Sequence, residues 1–516
     1  MADSTIKPHQ DEFLGHPKAL FILFFTEMWE RFSFYGMKAL LIFYLTKYHL
    51  FSDDSGNLLI GSYAALVYAV PVIGGFIADK YLGFRKAIIF GGIMLVLGHL
   101  GMAYEGNAAT QSITGEITRD NTALQIFYFS LSLIILGVGF LKANISSLVG
   151  ELYEVGDKRR DSGFTLFYMG INLGSFLATI ICVWLGETYG WSYGFGAAGV
   201  GMFFGLLTFI SGKRFLMGKG ESNNPTFLER TSFGLKNEWL IYLGSILSTL
   251  IFWQMVQNHE VVSMALQVAG GISFLYIVYY ATVHLDGKAR EQLIALTILI
   301  IFTIVFWALF EQAYTSMNLF ADRILDRHIF GIEISAGQFL SFNALFIILL
   351  APIFAWLWVK LEKYNPNTAV KFAMALMLVG LGFGALVLGI NVSGLGKVAA
   401  LWLVLAYFLH TCGELSLSPV GLSAVTKLSP AKIVGFMMGV WFLATASSEF
   451  IASVLANIAS VDTSNGVAAD LNMAKQSYLT LFEYLFYTGI AFGVILLALS
   501  PVIKKLMHGV DKELNK

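Results

Sequence analysis

The chain has 516 residues, of which 57% are hydrophobic and 13% charged, with a mean hydropathy of +0.70; this excludes a soluble multidomain protein and indicates a polytopic membrane protein. A formal net charge of -1 offers no basic face to neutralise phosphates, so nucleic acid is excluded as a partner. The two cysteines, Cys182 and Cys412, sit in apolar runs and support neither a disulfide framework nor a Cys-rich metal site.

In chain order, residues 1–17 are polar and mixed in charge, unlike a secretory signal peptide. The first span is therefore expected to act as an uncleaved targeting signal, with the mature chain starting near Met1. Apolar windows predict spans over 19–46, 58–78, 87–104, 123–149, 163–186, 192–211, 239–257, 262–283, 292–313, 337–359, 369–390, 399–426, 433–458 and 477–502, about fourteen helices. The loops that follow the even-numbered spans, with the two termini, hold about 24 of the 33 Lys and Arg, which predicts that both termini are cytoplasmic. Residues 212–238 form the longest polar connector on that side, and the pair 239–257 and 262–283 carries polar residues mainly at its tip, including Gln254, Gln257, Asn258 and Glu260. The expected layout is 6+2+6: an N-terminal six-helix bundle over 1–211, a linker and inserted transmembrane hairpin over 212–290, and a C-terminal six-helix bundle over 291–516. Together these form an all-α polytopic membrane protein. Gly75 to Lys86, with Asp79, Arg85 and Lys86, resembles the signature after the second span of the major facilitator superfamily.

Charged residues inside spans demand an explanation, because each costs roughly 2.5–3.5 kcal/mol at mid-membrane on insertion scales. The first span contains Glu27, Glu30, Arg31 and Lys38. At about 100° per residue, Glu27, Arg31, Tyr35 and Lys38 share one stripe, and Glu30 lies about 60° to its side. A structural Glu27–Arg31 pair alone leaves Glu30 and Lys38 unaccounted for, so this face is expected to look into a polar cavity. Span four holds Lys142 beside Gly137 and Gly139, and span five holds Asn172, for which a packing hydrogen bond is the competing reading. In the second half, Glu311 follows Trp307 near the end of its span. Glu414 precedes Pro419, where a helix break is expected. Cations from the N-terminal half and carboxylates from the C-terminal half describe a bipolar cavity suited to a zwitterion. Asp322 and Arg323 are read as a solvated turn or an extracellular latch, with a direct substrate role as the alternative. Tyr35, Tyr68, Trp307 and Trp441 neighbour these polar positions, with ordinary packing as the alternative for each.

Glu27 to Gly36, Glu-Met-Trp-Glu-Arg-Phe-Ser-Phe-Tyr-Gly, resembles the first motif of the proton-coupled oligopeptide transporters. Phe167 to Ser175 is similar to that family's second motif, and Glu414 to Ser423 to its tenth-span motif. The resemblance implies import of di- and tripeptides, and of peptidomimetic drugs, across the cytoplasmic (inner) membrane by alternating access. Protons are the coupling ion, and no cofactor and no metal is implied. It places Glu27, Glu30, Arg31, Lys142 and Glu311 in proton coupling, with a Glu311–Lys142 salt bridge that closes the external gate and breaks on inward opening. Lys38 and Lys142 would attract the peptide carboxylate, while Asn172, Asn343 and Glu414 would hold its amino end. Tyr35, Tyr68, Trp307, Ser418 and Trp441 would line side-chain pockets. Three positions depart from the family pattern: Lys38 stands where arginine is frequent, Phe34 where the first of two tyrosines is usual, and Ala143 where proline is frequent. Lysine lacks the fork geometry of arginine.

Other readings are a symporter for another small organic ion, amino acid or metabolite on the same scaffold, a membrane-embedded enzyme, and a channel. The sequence has no His-Glu-x-x-His helix, no Gly-x-Ser-x-Gly elbow and no clustered histidines, which argues against an enzyme. Bulky aromatics interleaved with polar residues argue against a channel.

Overall fold

The computed structural model describes residues 11–154, 156–461, 463–464, 467–468 and 470–510. In chain order its helices are α1 (Lys18–Phe43), α2 (Asp53–Ile77), α3 (Phe84–Met102), α4 (Asn121–Glu151), α5 (Arg160–Tyr189), α6 (Trp191–Ser211), the short α7 (Lys213–Leu216) and α8 (Pro225–Glu229), and the hairpin α9 (Asn237–Gln257) and α10 (His259–Val283). Then follow α11 (Gly287–Phe310), the short α12 (Ser316–Arg323), α13 (Ser341–Lys360), α14 (Thr368–Val392), α15 (Ala400–Leu428), α16 (Val434–Ala456) and α17 (Leu471–Leu506). Thirteen membrane-crossing segments satisfy both length and apolarity among the described residues. The long helix left out is α1, because Glu27, Glu30, Arg31 and Lys38 interrupt it. Among the described residues, strands are confined to two-residue ladders in the connections.

Glycine sets how closely the N-terminal helices cross. A Cβ on Gly74 of α2 would collide with the Gly139 carbonyl of α4, and one on Gly174 of α5 would run into the Met28 carbonyl of α1 and approach Arg31 Cβ at 3.1 Å. Side-chain-free crossings of this kind let helix backbones approach in a bilayer. The second sequence motif thus presses α5 against α1 beside its charges. In the C-terminal half Gly380 of α14 and Gly489 of α17 meet in the same way.

The connector after α6 is bound to the loop between α2 and α3. Gly83, at φ +79°, faces the backbone of Glu221 and Ser222, and Arg85 forks onto Glu221 at 2.5 and 3.1 Å. Lys86 pairs with Glu238 of α9 at 2.7 Å. The Arg85 hydrogen bonds hold the Glu221 carboxyl below its ordinary value. The cations of the signature loop therefore fasten the connector and the hairpin.

α15 runs as one helix from Ala400 to Leu428, so the expected break around Pro419 is not formed; the Pro419 side chain lies outside the described residues. The break falls instead directly after α11. There Glu311–Tyr314 form a 3-10 turn and Thr315 adopts φ -123°, ψ -96° before α12 begins. No proline lies at this point, and the turn is held by Gln312, which donates to the Ala452 carbonyl of α16 at 2.8 Å and accepts from the Ser316 hydroxyl at 2.6 Å.

Candidate functional site: a bipolar cavity between two helix bundles

The N-terminal wall is built on α1. Arg31 Nε lies 3.0 Å from Glu27 Oε1 and 2.5 Å from Glu30 Oε2, and the three side chains are almost wholly buried. These contacts are close but out of line for hydrogen bonding. Arg31 Nη2, Glu27 Oε2 and both Glu30 oxygens have no aligned hydrogen-bond partner among the described residues. One guanidinium is thus shared by two buried carboxylates, an arrangement that a simple packing pair does not need. Phe34, standing in place of tyrosine, sets its ring 5.5 Å from the guanidinium, so that substitution removes a hydroxyl and keeps the cation–π contact an aromatic ring makes there.

Lys142 of α4 does not pair with Glu311. Its Nζ lies 3.8 Å from the Tyr68 ring centroid, and no ion pair reaches it among the described residues. Glu311 instead accepts from Lys38 Nζ at 2.9 Å. The Glu311–Lys142 bridge, expected to break on inward opening, is not formed in this arrangement, and Lys38 holds Glu311 instead. The physical reason is position: Glu311 sits on the 3-10 turn facing the later half of α1, whereas Lys142 projects from α4 over α2. Lys38 also contacts both oxygens of Glu449 on α16, at 3.0 and 3.2 Å, and its ammonium lies 4.3 Å from the Tyr314 ring. Glu449 and Tyr314 were not singled out from the sequence. Glu449 was legible as a lone carboxylate inside an apolar span, the same signal that marks Glu414; Tyr314 carries no such mark. Tyr314 also stacks on Tyr35, with centroids 6.4 Å apart and planes 16° apart.

On the C-terminal wall, Asn343 of α13 donates to Glu414 Oε2 at 3.1 Å and to Thr411 Oγ1 at 3.0 Å. Asn172 of α5 donates to the Tyr168 carbonyl one turn back, at 3.0 Å, a bond within its own helix. Trp441 fills the space left by Gly421, where a Cβ would lie 2.5 Å from the indole. Trp307 packs edge-on against Phe306 and Phe310, and Ser418 is half-buried on α15.

Polar links between the halves gather at the end remote from the termini. Arg323 forks onto Asp53 at 2.6 and 2.7 Å with both side chains buried, Lys47 pairs with Asp322 at 2.6 Å, and Asn57 donates to Asn457 at 3.1 Å. Asp322 and Arg323 thus form a latch rather than a solvated turn. Toward the other end Tyr168, within Coulombic reach of Glu414, is 39% exposed. The two halves are tied together at the end remote from the termini.

Two helix bundles that close on each other at one end, around a cavity with opposite charge on its two walls, define a membrane carrier of the major facilitator fold. The POT family model matches residues 85–474. The peptide transporter YePEPT of Yersinia enterocolitica is 36% identical over 99% of each chain, and the dipeptide and tripeptide permease A of Escherichia coli is 32% identical over 98% of this chain and 97% of its own. Among solved structures, the peptide transporter POT in complex with alafosfalin superposes with a TM-score of 0.81 at 36% identity, covering 96% of this chain and 97% of the other. This chain belongs to the POT family of transporters.

Proposed function

We propose that the protein is a proton-coupled symporter that imports di- and tripeptides, with peptidomimetics among its cargo, across the cytoplasmic membrane of a bacterium, with both termini cytoplasmic. The observation that carries this reading is the pairing of opposites across the cavity: Lys142, its ammonium over the Tyr68 ring, on one wall, and Glu414, held by Asn343, on the other. A peptide presents a carboxylate and an ammonium a few ångströms apart, and the two walls offer one partner to each. Backbone recognition at both ends leaves the side chains to pockets lined by Tyr35, Tyr68, Trp307, Ser418 and Trp441, which gives broad sequence tolerance with a ceiling on length.

Proton coupling rests on Glu27, Glu30 and Arg31. Binding of the cargo carboxylate draws Lys142 away from the Coulombic reach of Glu30 and alters the charge balance there. A proton then binds or leaves as cargo does. Reaction of the cargo has no part in this cycle, and no cofactor is needed beyond the proton.

A second reading is a carrier of single small zwitterions. It is favoured by one finding, that a POT family transporter in complex with 5-aminolevulinic acid superposes at a TM-score of 0.80 with 29% identity. Calorimetric titration of the purified protein separates the two: heats of binding with dialanine and trialanine, and none with alanine or 5-aminolevulinic acid, are expected. Binding of the single zwitterions alone would replace peptide with the second reading.

A further inference from the structure

Of the three cations in the signature loop, Arg85 and Lys86 are engaged by the connector and the hairpin. Lys80 is not. It is exposed, and no ion pair reaches it among the described residues, from Asp79 beside it in the chain or from elsewhere; its ammonium lies 5.4 Å from the ring centroids of both Phe76 and Tyr81. Tyr81 stands at the mouth of an apolar slot of about 330 Å³ between α2 and α9, with Phe140 of α4 at its back. The slot runs from Tyr81 to Val70 along α2 and from Leu240 to Phe252 along α9.

Loose docking does not explain the slot, because the hairpin is fastened at both ends of it. On the side of the termini Lys86 pairs with Glu238 at 2.7 Å, and Tyr242 stacks on Phe90 with centroids 5.0 Å apart. At the far end Gln125 donates to Gln257 at 3.3 Å, and the Ser62 hydroxyl lies 3.0 Å from the His259 ring. Between these ends α9 lines the slot with Gly244, Ser245 and Ser248, small residues of the kind that elsewhere bring helix backbones together. Here they do not: a Cβ on Gly244 would meet nothing within 4 Å. Both serine hydroxyls donate to carbonyls of their own helix, at 2.8 and 2.6 Å, so neither calls water into the slot. From Leu240 to Phe252 the helix rises about 18 Å at about 1.5 Å per residue, close to half of a hydrocarbon core roughly 30 Å thick. The slot has the depth of one leaflet. Its mouth is at headgroup level, marked by Trp239 at the foot of α9, which is 62% exposed.

We propose that the slot holds one acyl chain of an anionic diacyl phospholipid from the leaflet on the side of the termini, with the lipid phosphate on Lys80. This resident lipid fills the gap between the hairpin and the N-terminal bundle. Its chain supplies the dispersion contacts that α2 and α9 do not make with each other there, and its headgroup gives Lys80 a counter-charge.

The test places the full-length protein in phosphatidylcholine vesicles with a trace of phospholipid bearing a photoactivatable diazirine on one acyl chain. The probe is phosphatidylglycerol in one arm and phosphatidylcholine in the other. Label on α9 is compared by peptide mass mapping with label on α10, which faces lipid at Val268, Ile272 and Leu275 and carries no Lys or Arg. On α9 the phosphatidylglycerol probe is expected to label about fivefold more than phosphatidylcholine, the worth of about one lysine at a membrane surface, with no such preference on α10. Gly244→Leu, whose side chain enters open space, is expected to reduce phosphatidylglycerol label on α9 to the α10 level. Lys80→Gln is expected to leave α9 labelled but abolish the headgroup preference. Absence of that preference in the wild type, or α9 label indifferent to G244L, overturns the proposal. Should G244L not fold, the wild type and K80Q decide: a preference that survives K80Q overturns it.

Discussion

At the scale of the residue, what matters is which charges are left without a matched partner. Arg31 cannot satisfy both Glu27 and Glu30 with aligned hydrogen bonds, so the cluster is poised to change partner or protonation with little structural cost. Glu30→Gln is therefore expected to abolish accumulation of dialanine against a gradient while exchange of internal for external dialanine continues, read as net uptake against counterflow in the same vesicles. Equal loss of both would remove Glu30 from the coupling step. Apolar surroundings made Glu27, Glu30, Arg31, Lys38, Lys142, Glu311 and Glu414 stand out in the sequence, because an ionisable side chain inside a span is expensive unless used. Their pairing was not legible. Contact between Lys38 of α1, Glu311 of the turn and Glu449 of α16 is fixed by how two bundles dock, and no spacing along the chain encodes it.

At the scale of the element, helix positions were readable almost throughout, since length and apolarity alone determine what crosses a bilayer. The irregularities were not. Pro419 pointed to a break in α15, a helix that runs from Ala400 to Leu428, while the unwound turn after α11 has no proline and is held open by Gln312 contacts from α16. Tertiary hydrogen bonds, with no proline present, hold the turn after α11. Glycine at position 174 had a clear place in the second motif but no stated purpose; the structure assigns it the α1–α5 crossing. Gly174→Ala gains helix propensity of about 1 kcal/mol yet drives a Cβ into the Met28 carbonyl. Net destabilisation of about 1–3 kcal/mol is expected, visible as a lowered Tm in detergent. An unchanged or raised Tm would show that α5 can shift away from the charge cluster freely.

At the scale of the whole molecule, the end remote from the termini is locked by two adjacent residues of opposite sign. Asp322 takes Lys47, and Arg323 takes Asp53. Breaking a buried pair by removing one partner costs about 3–5 kcal/mol, and here that cost falls on the latched state. Arg323→Met is expected to shift spin-label distances across this end toward longer values, and the swap of Asp53→Arg with Arg323→Asp to restore the shorter ones. Distances indifferent to both would make the pair a bystander to gating.

The central claim is that this fold moves peptides at the expense of a proton gradient. Its most direct test is uptake of radiolabelled dialanine into proteoliposomes under an inward proton gradient, with a protonophore arm and a free-alanine control. The account predicts accumulation of the dipeptide alone, collapsing to equilibration with the protonophore. Accumulation that survives the protonophore, or none from folded and correctly reconstituted protein, would contradict it.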